Sequence, residues 1–214
     1  MKQEKVNNMK NSLQKIKIAV TGGIGSGKSK ALQILGELGY SVFSCDEIYK
    51  NVIVSTEYVE IIKSAFPECV TNNQIDRKKL AEIIFPDKTK REKLNTIAHP
   101  FIMKQLFKGM EMAEGQLIFA EVPLLFEGNF EDNFDFVIII QREKEKRIES
   151  IKARDNISYQ EIEKRLQAQI DYDAKKNIEY FKNKNYFILE NNTKAEDLKN
   201  QLLSVVKFIQ KTLL

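Results

Sequence analysis

The sequence has few residues that build metal or disulfide frameworks, and it has no long apolar run. Of its 214 residues, two are cysteines, Cys45 and Cys69, and one is a histidine, His99. Such sparse thiols fit a reducing cytoplasm, and no Cys/His cluster has the spacing of a zinc site. The longest apolar run, Phe136 to Ile140, is far shorter than the ~20 residues a membrane helix needs. We therefore expect a cytoplasmic chain that does not span a bilayer.

An excess of charge of one sign is also absent from most of the chain. The net charge is +4, and it arises within residues 1–17, because the rest of the chain carries equal numbers of basic and acidic side chains. A basic stripe for nucleic acid is not evident, so no nucleic-acid partner is expected. Residues 1–15 are polar, lack the apolar stretch of a secretory signal, and predict a flexible basic leader.

What the chain does contain is ordinary for a globular protein. Hydrophobic residues make up 43% and charged residues 30%, which argues against a collagen-like, disulfide-scaffold or disordered chain. The length allows one large domain or one domain with an insertion. Short buried runs typical of parallel strands occur at 17–20, 41–44, 117–120, 136–140 and 186–189.

The spacing between these runs predicts helices. Between about 56 and 110 the pattern is helical throughout: Asp76 can cap a helix from Arg77, and Pro100 suits the first turn of a new helix. From Glu143 the chain is charged and helical. Ser158 and Glu161 have the spacing of a capping box, at the start of a helix expected to carry Arg165 and Gln169.

A glycine-rich loop is the most informative motif. Gly22-x-x-x-x-Gly27-Lys28-Ser29 follows the first apolar run and precedes a helical pattern, which is the context that the phosphate-binding P-loop requires. Successive backbone N–H groups there face a polyphosphate at a helix N-terminus. We expect Lys28 to reach the β and γ phosphates and the Ser29 hydroxyl to ligate Mg²⁺. Further nucleotide contacts are expected from Gly23, Ile24, Gly25, Ser26, Gly27 and Lys30.

P-loops occur in kinases, GTPase switches and ATP-driven machines. A GTPase would carry Asn-Lys-x-Asp and Asp-x-x-Gly, but no glycine here follows an aspartate by three positions. Asn183-Lys184 is followed by Asn185-Tyr186 and lacks the needed carboxylate. A small chain with a helical insertion suits a kinase, which encloses a second substrate and excludes water.

Charged residues near the strand ends are candidates for the chemistry. Asp46 follows the second strand and can accept the proton of an attacking hydroxyl, with capping of the next helix as the alternative. Glu121 follows the 117–120 strand and can hold Mg²⁺ through water, although a surface glutamate is common there. Arg147 and Arg154 share a helical face with Ile151 and can neutralise transferring phosphate, although such faces are usually solvated.

Together these residues resemble the dephospho-CoA kinase family. The resemblance runs from Ile16 to about Thr193, and its more particular parts are His99-Pro100, Val122-Pro-Leu-Leu-Phe-Glu127 and Arg154-Asp155. It implies phosphorylation of the ribose 3′-hydroxyl of dephospho-CoA by Mg-ATP. It also implies that Asp46 is the base and that Lys28 and Arg147 stabilise the transferring phosphate. The substrate-binding residues it implies are Asp46, Arg77, His99, Leu124 and Arg165.

The expected organisation follows from these assignments. The fold class is α/β, a P-loop parallel sheet flanked by helices, with a nucleotide-binding core at 16–55 and 111–214. A helical substrate insertion is expected at 56–110 and a helical lid at about 143–180. The cofactor-binding set adds Arg147 and Arg154 to the loop, and the metal set is Ser29 and Glu121. A monomer is favoured.

Three positions depart from the family pattern. Ser44 replaces the first acid of an Asp-Ala-Asp segment, Lys30 replaces a threonine after the loop, and Glu121 stands where aspartate is common. None removes Lys28, Ser29 or Asp46, so an active enzyme is expected. Two alternatives remain open at this point: another P-loop kinase acting on a nucleoside or nucleotide, and a nucleotide-binding protein without transfer activity.

Overall fold

A computed structural model describes residues 14–172, 174–182 and 185–213. Residues 1–13 of the predicted leader lie outside this range. The strands are β1 to β7 and the helices α1 to α9, in the chain order β1 Ile16–Thr21, α1 Lys28–Glu37, β2 Ser41–Ser44, α2 Cys45–Val52, α3 Thr56–Ala65, β3 Val70–Thr71, β4 Gln74–Ile75, α4 Arg77–Ile84, α5 Lys88–Met112, β5 Leu117–Glu121, β6 Phe136–Gln141, α6 Lys144–Asp155, α7 Tyr159–Gln167, α8 Lys175–Lys182, β7 Tyr186–Glu190 and α9 Ala195–Thr212.

The chain divides into two compact units. The first unit comprises the described residues up to Val42 and from Ala113 onward, and the second comprises Phe43–Met112. The predicted insertion at 56–110 lies within the second unit, which begins earlier, inside β2. Among the described residues, none of the helices combines the length and apolarity that crossing a membrane requires.

The first unit is built on a five-stranded sheet in the order β2-β5-β1-β6-β7. The central strand β1 pairs in parallel with β5, with Val20 opposite Glu121, and with β6, with Thr21 opposite Ile139. The three central strands are mostly apolar and almost fully buried, as expected for strands covered on both faces. Helices α1 and α9 contribute apolar residues to the same core. This packing places the turn after β1 beside the ends of β5 and β6.

The second unit is a group of helices around its own apolar core. Helices α2 to α5 and the small antiparallel pair β3–β4 supply it, with Tyr58, Ile62 and Leu80 among its buried members. The predicted Asp76 cap is confirmed, because its carboxylate accepts hydrogen bonds from the Lys78 and Lys79 N–H groups at 3.0 and 3.1 Å. Such a cap satisfies backbone donors that the first turn leaves free.

The predicted helix start at Pro100 is wrong. Helix α5 runs without interruption through Lys88–Met112, with Pro100 inside it. A proline in a helix interior costs about 3 kcal/mol. Buried side chains on both sides of the proline, including Ala98 and Met103, continue one apolar stripe, and burying that stripe outweighs the lost backbone hydrogen bond.

Two further predictions concern the two ends of helix α7. The capping box of Ser158 and Glu161 is confirmed at the start of α7. That helix ends at Gln167, so Arg165 lies within it but Gln169 does not, contrary to the prediction. Helix α2 begins at Cys45, with Ser44 in the N-cap position.

Candidate active site

The loop between β1 and α1 has a backbone that only glycine accommodates readily. Gly22 and Gly27 have φ values of +143° and +102°, in the region that residues with a Cβ rarely adopt. A Cβ on Gly22 would lie 2.3 Å from the carbonyl oxygen of Ile140, at the end of β6. The loop therefore needs glycine both for its curl and for its close approach to the sheet.

Lys28 folds back over this loop. Its side chain is buried, and Nζ donates hydrogen bonds to the carbonyl oxygens of Gly22 at 2.9 Å and Gly23 at 3.2 Å. Burying an ammonium group is costly unless it has hydrogen-bond acceptors, and the loop carbonyls supply them. A positive charge is thus held at the first residue of α1, where the helix N-terminus also attracts anions.

Arg147, on the first turn of α6, is a second buried cation on the same loop. Its Nε donates to the carbonyl oxygen of Ile24 at 3.0 Å. A Cβ on Gly23 would lie 2.3 Å from its Nη2, so the guanidinium packs directly against the loop. Lys28 and Arg147 therefore both lie at the glycine loop, as a site for a polyphosphate requires.

Two residues that the sequence analysis gave no role also hold the loop. The Gln169 Oε1 accepts a hydrogen bond from the Ile24 N–H at 2.7 Å, and the Asn191 Nδ2 donates to the carbonyl oxygen of Ser26 at 2.8 Å. The buried Ser26 hydroxyl has no hydrogen-bond partner within the described part of the chain. An orphaned buried hydroxyl is costly and is suited to a phosphate oxygen.

Ser29 and Glu121 form a pair of oxygen groups next to the loop. The Ser29 hydroxyl donates to Glu121 Oε1 at 3.1 Å, and Glu121, the last residue of β5, is buried. Residues 14–172, 174–182 and 185–213 contain no group of three or more His, Cys, Asp or Glu suited to a metal ion. Mg²⁺ commonly takes one or two protein oxygens together with substrate phosphates and water. This donor set therefore fits Mg²⁺ bound with a nucleotide.

The arginines at the end of α6 and on α7 meet at one carboxylate. Asp155 accepts hydrogen bonds from Arg154 at 2.7 Å and from Arg165 at 2.8 Å. The hydrogen bond from Arg154 is the largest cause that lowers the pKa of Asp155, and Arg165 adds to it. The spacing of seven residues keeps Arg147 and Arg154 on one side of α6, but their surroundings differ, because the Arg154 side chain is 61% exposed whereas Arg147 is buried.

The segment after β5 is tied to the segment after α7. Leu124 is half-buried there, and Glu127 Oε1 accepts a hydrogen bond from the Ile170 N–H at 2.8 Å. The Thr21 hydroxyl, at the end of β1, donates to the Val122 carbonyl at 2.8 Å. Close by, the Tyr172 hydroxyl lies 3.2 Å from Thr21 Oγ1, and burial raises the pKa of this tyrosine. The segments that follow β5 and α7 are therefore held by hydrogen bonds at several points.

Three predicted site residues belong to the second unit. Asp46 is exposed in the first turn of α2, and because Ser44 occupies the N-cap position, the capping alternative is wrong for Asp46. Arg77 is the exposed first residue of α4. His99 is half-buried on α5, and burial lowers its pKa.

Lys30, which stands where the family pattern has threonine, makes its side-chain contact within its own helix. It is exposed on α1, and its Nζ donates to Gln33 Oε1 at 3.2 Å. Its side chain therefore has a surface partner, and its expected contribution to nucleotide binding is through the backbone N–H.

Comparison with known proteins identifies the family of this site. The family model described as dephospho-CoA kinase matches residues 16–197. The dephospho-CoA kinase of Fusobacterium nucleatum is 36% identical over 183 residues, which are 85% of this chain and 92% of that protein. The enzyme of the same name from Thermus thermophilus is 31% identical over 189 residues, 88% of this chain and 89% of that protein.

Solved structures agree with the sequence comparison. A Thermus thermophilus protein has a TM-score of 0.77 at 31% identity, covering 92% of this chain and 98% of its own. Dephospho-CoA kinase from Campylobacter jejuni has a TM-score of 0.58 at 27% identity, covering 91% and 97%. Shikimate kinase from Acinetobacter baumannii, at 15% identity and a TM-score of 0.57, shares the fold alone. The predicted P-loop α/β sheet flanked by helices is confirmed, and the chain belongs to the dephospho-CoA kinase family.

Proposed function

We propose that this chain transfers the γ-phosphoryl group of ATP to the ribose 3′-hydroxyl of dephospho-CoA, giving ADP and coenzyme A. The observation that carries the proposal is the pair of buried cations, Lys28 and Arg147, on the glycine loop of a chain in this family. Two cations held in fixed positions stabilise charge on a transferring phosphoryl group without reorganisation during the reaction.

Asp46 is the proposed general base. Its carboxylate accepts the proton of the 3′-hydroxyl as that oxygen bonds to the γ-phosphorus and the bond from phosphorus to the ADP oxygen breaks. Support comes from its place in the first turn of α2, two residues after β2 ends, from its exposure, and from the finding that Ser44 rather than Asp46 is the N-cap of α2. A base of this kind contributes about 10² to 10⁴ in turnover.

The remaining predicted residues receive roles by the same proposal. The loop backbone from Gly23 to Lys30 binds the polyphosphate, with Arg147 and Arg154, and residues 143–180 act as the lid. The proposed substrate contacts, besides Asp46, are Arg77, His99, Leu124 and Arg165. Ser29 and Glu121 would hold Mg²⁺, which neutralises charge on the β and γ phosphates when bound. We further propose that the enzyme works as a cytoplasmic monomer.

The test is ADP release by the purified chain with Mg-ATP, measured with and without dephospho-CoA. Mass spectrometry of the product then shows whether one phosphate has been added. We expect release to depend on dephospho-CoA and the product to be coenzyme A. A panel of nucleosides and nucleoside monophosphates as acceptors completes the experiment. Faster turnover with any of those acceptors would replace the proposal by a nucleoside or nucleotide kinase. ATP binding without ADP release would replace it by a non-catalytic protein.

Asp46→Asn tests the base. We expect ATP to bind normally and kcat to fall by about 10² to 10⁴. The matched control is Glu47→Gln, which neutralises the next carboxylate on the same exposed turn, where Glu47 forms an exposed ion pair with Lys50 at 2.6 Å; its kcat should stay within about twofold. Near-normal turnover of Asp46→Asn would remove Asp46 from the base role.

A further inference from the structure

Arg142 lies at the glycine loop but belongs to none of the predicted motifs. It directly follows β6, the strand paired with the loop-bearing strand β1. Its Nη1 donates to the Ser150 hydroxyl on α6 at 2.8 Å and to the Gly25 carbonyl oxygen at 3.4 Å. One guanidinium therefore connects the end of β6, the glycine loop and α6.

The setting of Arg142 is unusual for a surface arginine. Its Nε is buried and has no hydrogen-bond partner among the described residues. The ion pairs of the described chain do not include it either. Burying the Nε of an arginine without a hydrogen-bond partner costs free energy, because the lost hydration is not replaced. A contribution to stability therefore does not explain why an arginine stands here. Its contacts point instead to the loop.

Helix α6 carries the second loop cation one turn before Ser150. Arg147 Nε donates to the Ile24 carbonyl oxygen at 3.0 Å, and a Cβ on Gly25 would lie 2.7 Å from the Arg147 carbonyl oxygen. Arg142 therefore hydrogen-bonds the loop at Gly25, one residue after the carbonyl that Arg147 contacts. It also hydrogen-bonds α6 at Ser150, three residues after Arg147. Its two hydrogen bonds hold the helix and the loop in one arrangement.

We propose that Arg142 is a positioning residue, which fixes Arg147 against the glycine loop by bonding Gly25 and Ser150 together. The proposal rests on the proposed role of Arg147 in phosphoryl transfer. It assigns Arg142 no contact with the nucleotide. Its effect on turnover passes through Arg147 and must disappear when Arg147 is removed.

A double-mutant cycle tests this dependence. Arg142→Met removes the guanidinium and keeps most of the stem, and it is made alone and together with Arg147→Met. We expect Arg142→Met to lower kcat about tenfold in the native background and less than about twofold in the Arg147→Met background. The KM for dephospho-CoA should change less than about twofold. Equal loss of kcat in both backgrounds, or no loss in either, would overturn the proposal.

Three further variants separate positioning from general loss of structure. Arg142→Lys keeps the charge, but its side chain is shorter and its ammonium does not reach the position of Nη1 between the two acceptors, and Ser150→Ala removes one acceptor, so each should lower kcat about threefold. Arg91→Met is the matched control, because Arg91 Nη1 also donates to backbone carbonyls, those of Phe85 at 2.6 Å and Ile84 at 3.5 Å, in the second unit. Its kcat should be unchanged. A fall in melting temperature for Arg142→Met much larger than for Arg91→Met, with normal kcat, would indicate a structural role only.

Failure of this inference is distinguishable from failure of the proposed function. If the wild-type chain gives no turnover with dephospho-CoA, the function fails, and the same cycle is read from the Kd of a fluorescent ATP analogue. Weakening by Arg142→Met that vanishes in the Arg147→Met background would then still support the positioning role. Equal weakening in both backgrounds would refute it.

Discussion

The two units bury different kinds of side chain. Each polar or charged residue that is buried in the described chain belongs to the first unit, at or next to the glycine loop: Thr21, Ser26, Lys28, Glu121 and Arg147. The buried residues of the second unit are apolar side chains, tyrosine and cysteine. Burying charge is costly, so its concentration at one loop marks the part of the molecule organised in advance for a charged ligand.

The candidate residues of the second unit are arranged in the opposite way. Asp46 and Arg77 are exposed and His99 is half-buried, each on a helix whose other face packs into an apolar core. Exposed groups are fully solvated and need no fixed partner. The first unit therefore buries its charged candidate groups Lys28, Arg147 and Glu121 at the loop, whereas the second unit leaves Asp46 and Arg77 exposed.

Removing a buried cation from the first unit should have the largest effect. Lys28→Met leaves the loop carbonyls of Gly22 and Gly23 without their donor and takes away the charge that the proposed function assigns to the transferred phosphate. We expect kcat/KM to fall by about 10³ or more, since charge stabilisation in a site of this kind has that magnitude. Steady-state ADP release with Mg-ATP and dephospho-CoA measures it.

The control for Lys28→Met is Lys207→Met, an exposed lysine on α9 of the same unit. Its kcat/KM should match that of the wild type, because it changes the net charge equally without touching the loop. A loss of less than about tenfold for Lys28→Met would contradict the view that the buried cations of the first unit dominate the chemistry.

Damage to the apolar core of the second unit should affect stability instead. Ile62 is fully buried on α3, while its neighbour Ile61 is 37% exposed. Ile62→Ala should lower the free energy of unfolding by about 2–4 kcal/mol through lost burial and the cavity left behind. Ile61→Ala should lower it by less than about 1 kcal/mol. Urea unfolding measures both, and equal losses would show that the α3 core is not packed as described.

Part of this contrast could be predicted from the sequence. Short apolar runs located the strands β1, β2, β5, β6 and β7, and the glycine spacing located the loop, because both depend on residues close together in the chain. The caps at Asp76 and Ser158 were equally local. Pro100 misled the prediction, because its local cost was weighed without the tertiary burial that keeps α5 continuous.

The unpredicted contacts are those between distant segments. Gln169 reaches Ile24 across 145 positions and Asn191 reaches Ser26 across 165. Glutamine and asparagine occur on many surfaces, so their residue type carried no signal of these bonds. The different environments of Arg147 and Arg154 were also hidden, because helical spacing says which residues align but not which one a neighbouring loop covers.

The smallest expected effect concerns the half-buried histidine of the second unit. Burial lowers the pKa of His99 below its ordinary value, so the folded protein favours the neutral imidazole. At pH values below about 6.5 the unfolded chain binds the proton more readily, and stability falls as the pH drops through the lowered pKa of the folded state. His99→Gln should remove this part of the acid sensitivity, which for an unfolded-state pKa near 6.5 is at most about 2 kcal/mol between pH 7 and pH 5. Because the sequence has one histidine, a proton NMR titration reports its pKa directly. A pKa at or above that of a free histidine would mean that the imidazole of His99 is solvated on α5. His99 would then be as exposed to solvent as the Asp46 carboxylate of the same unit.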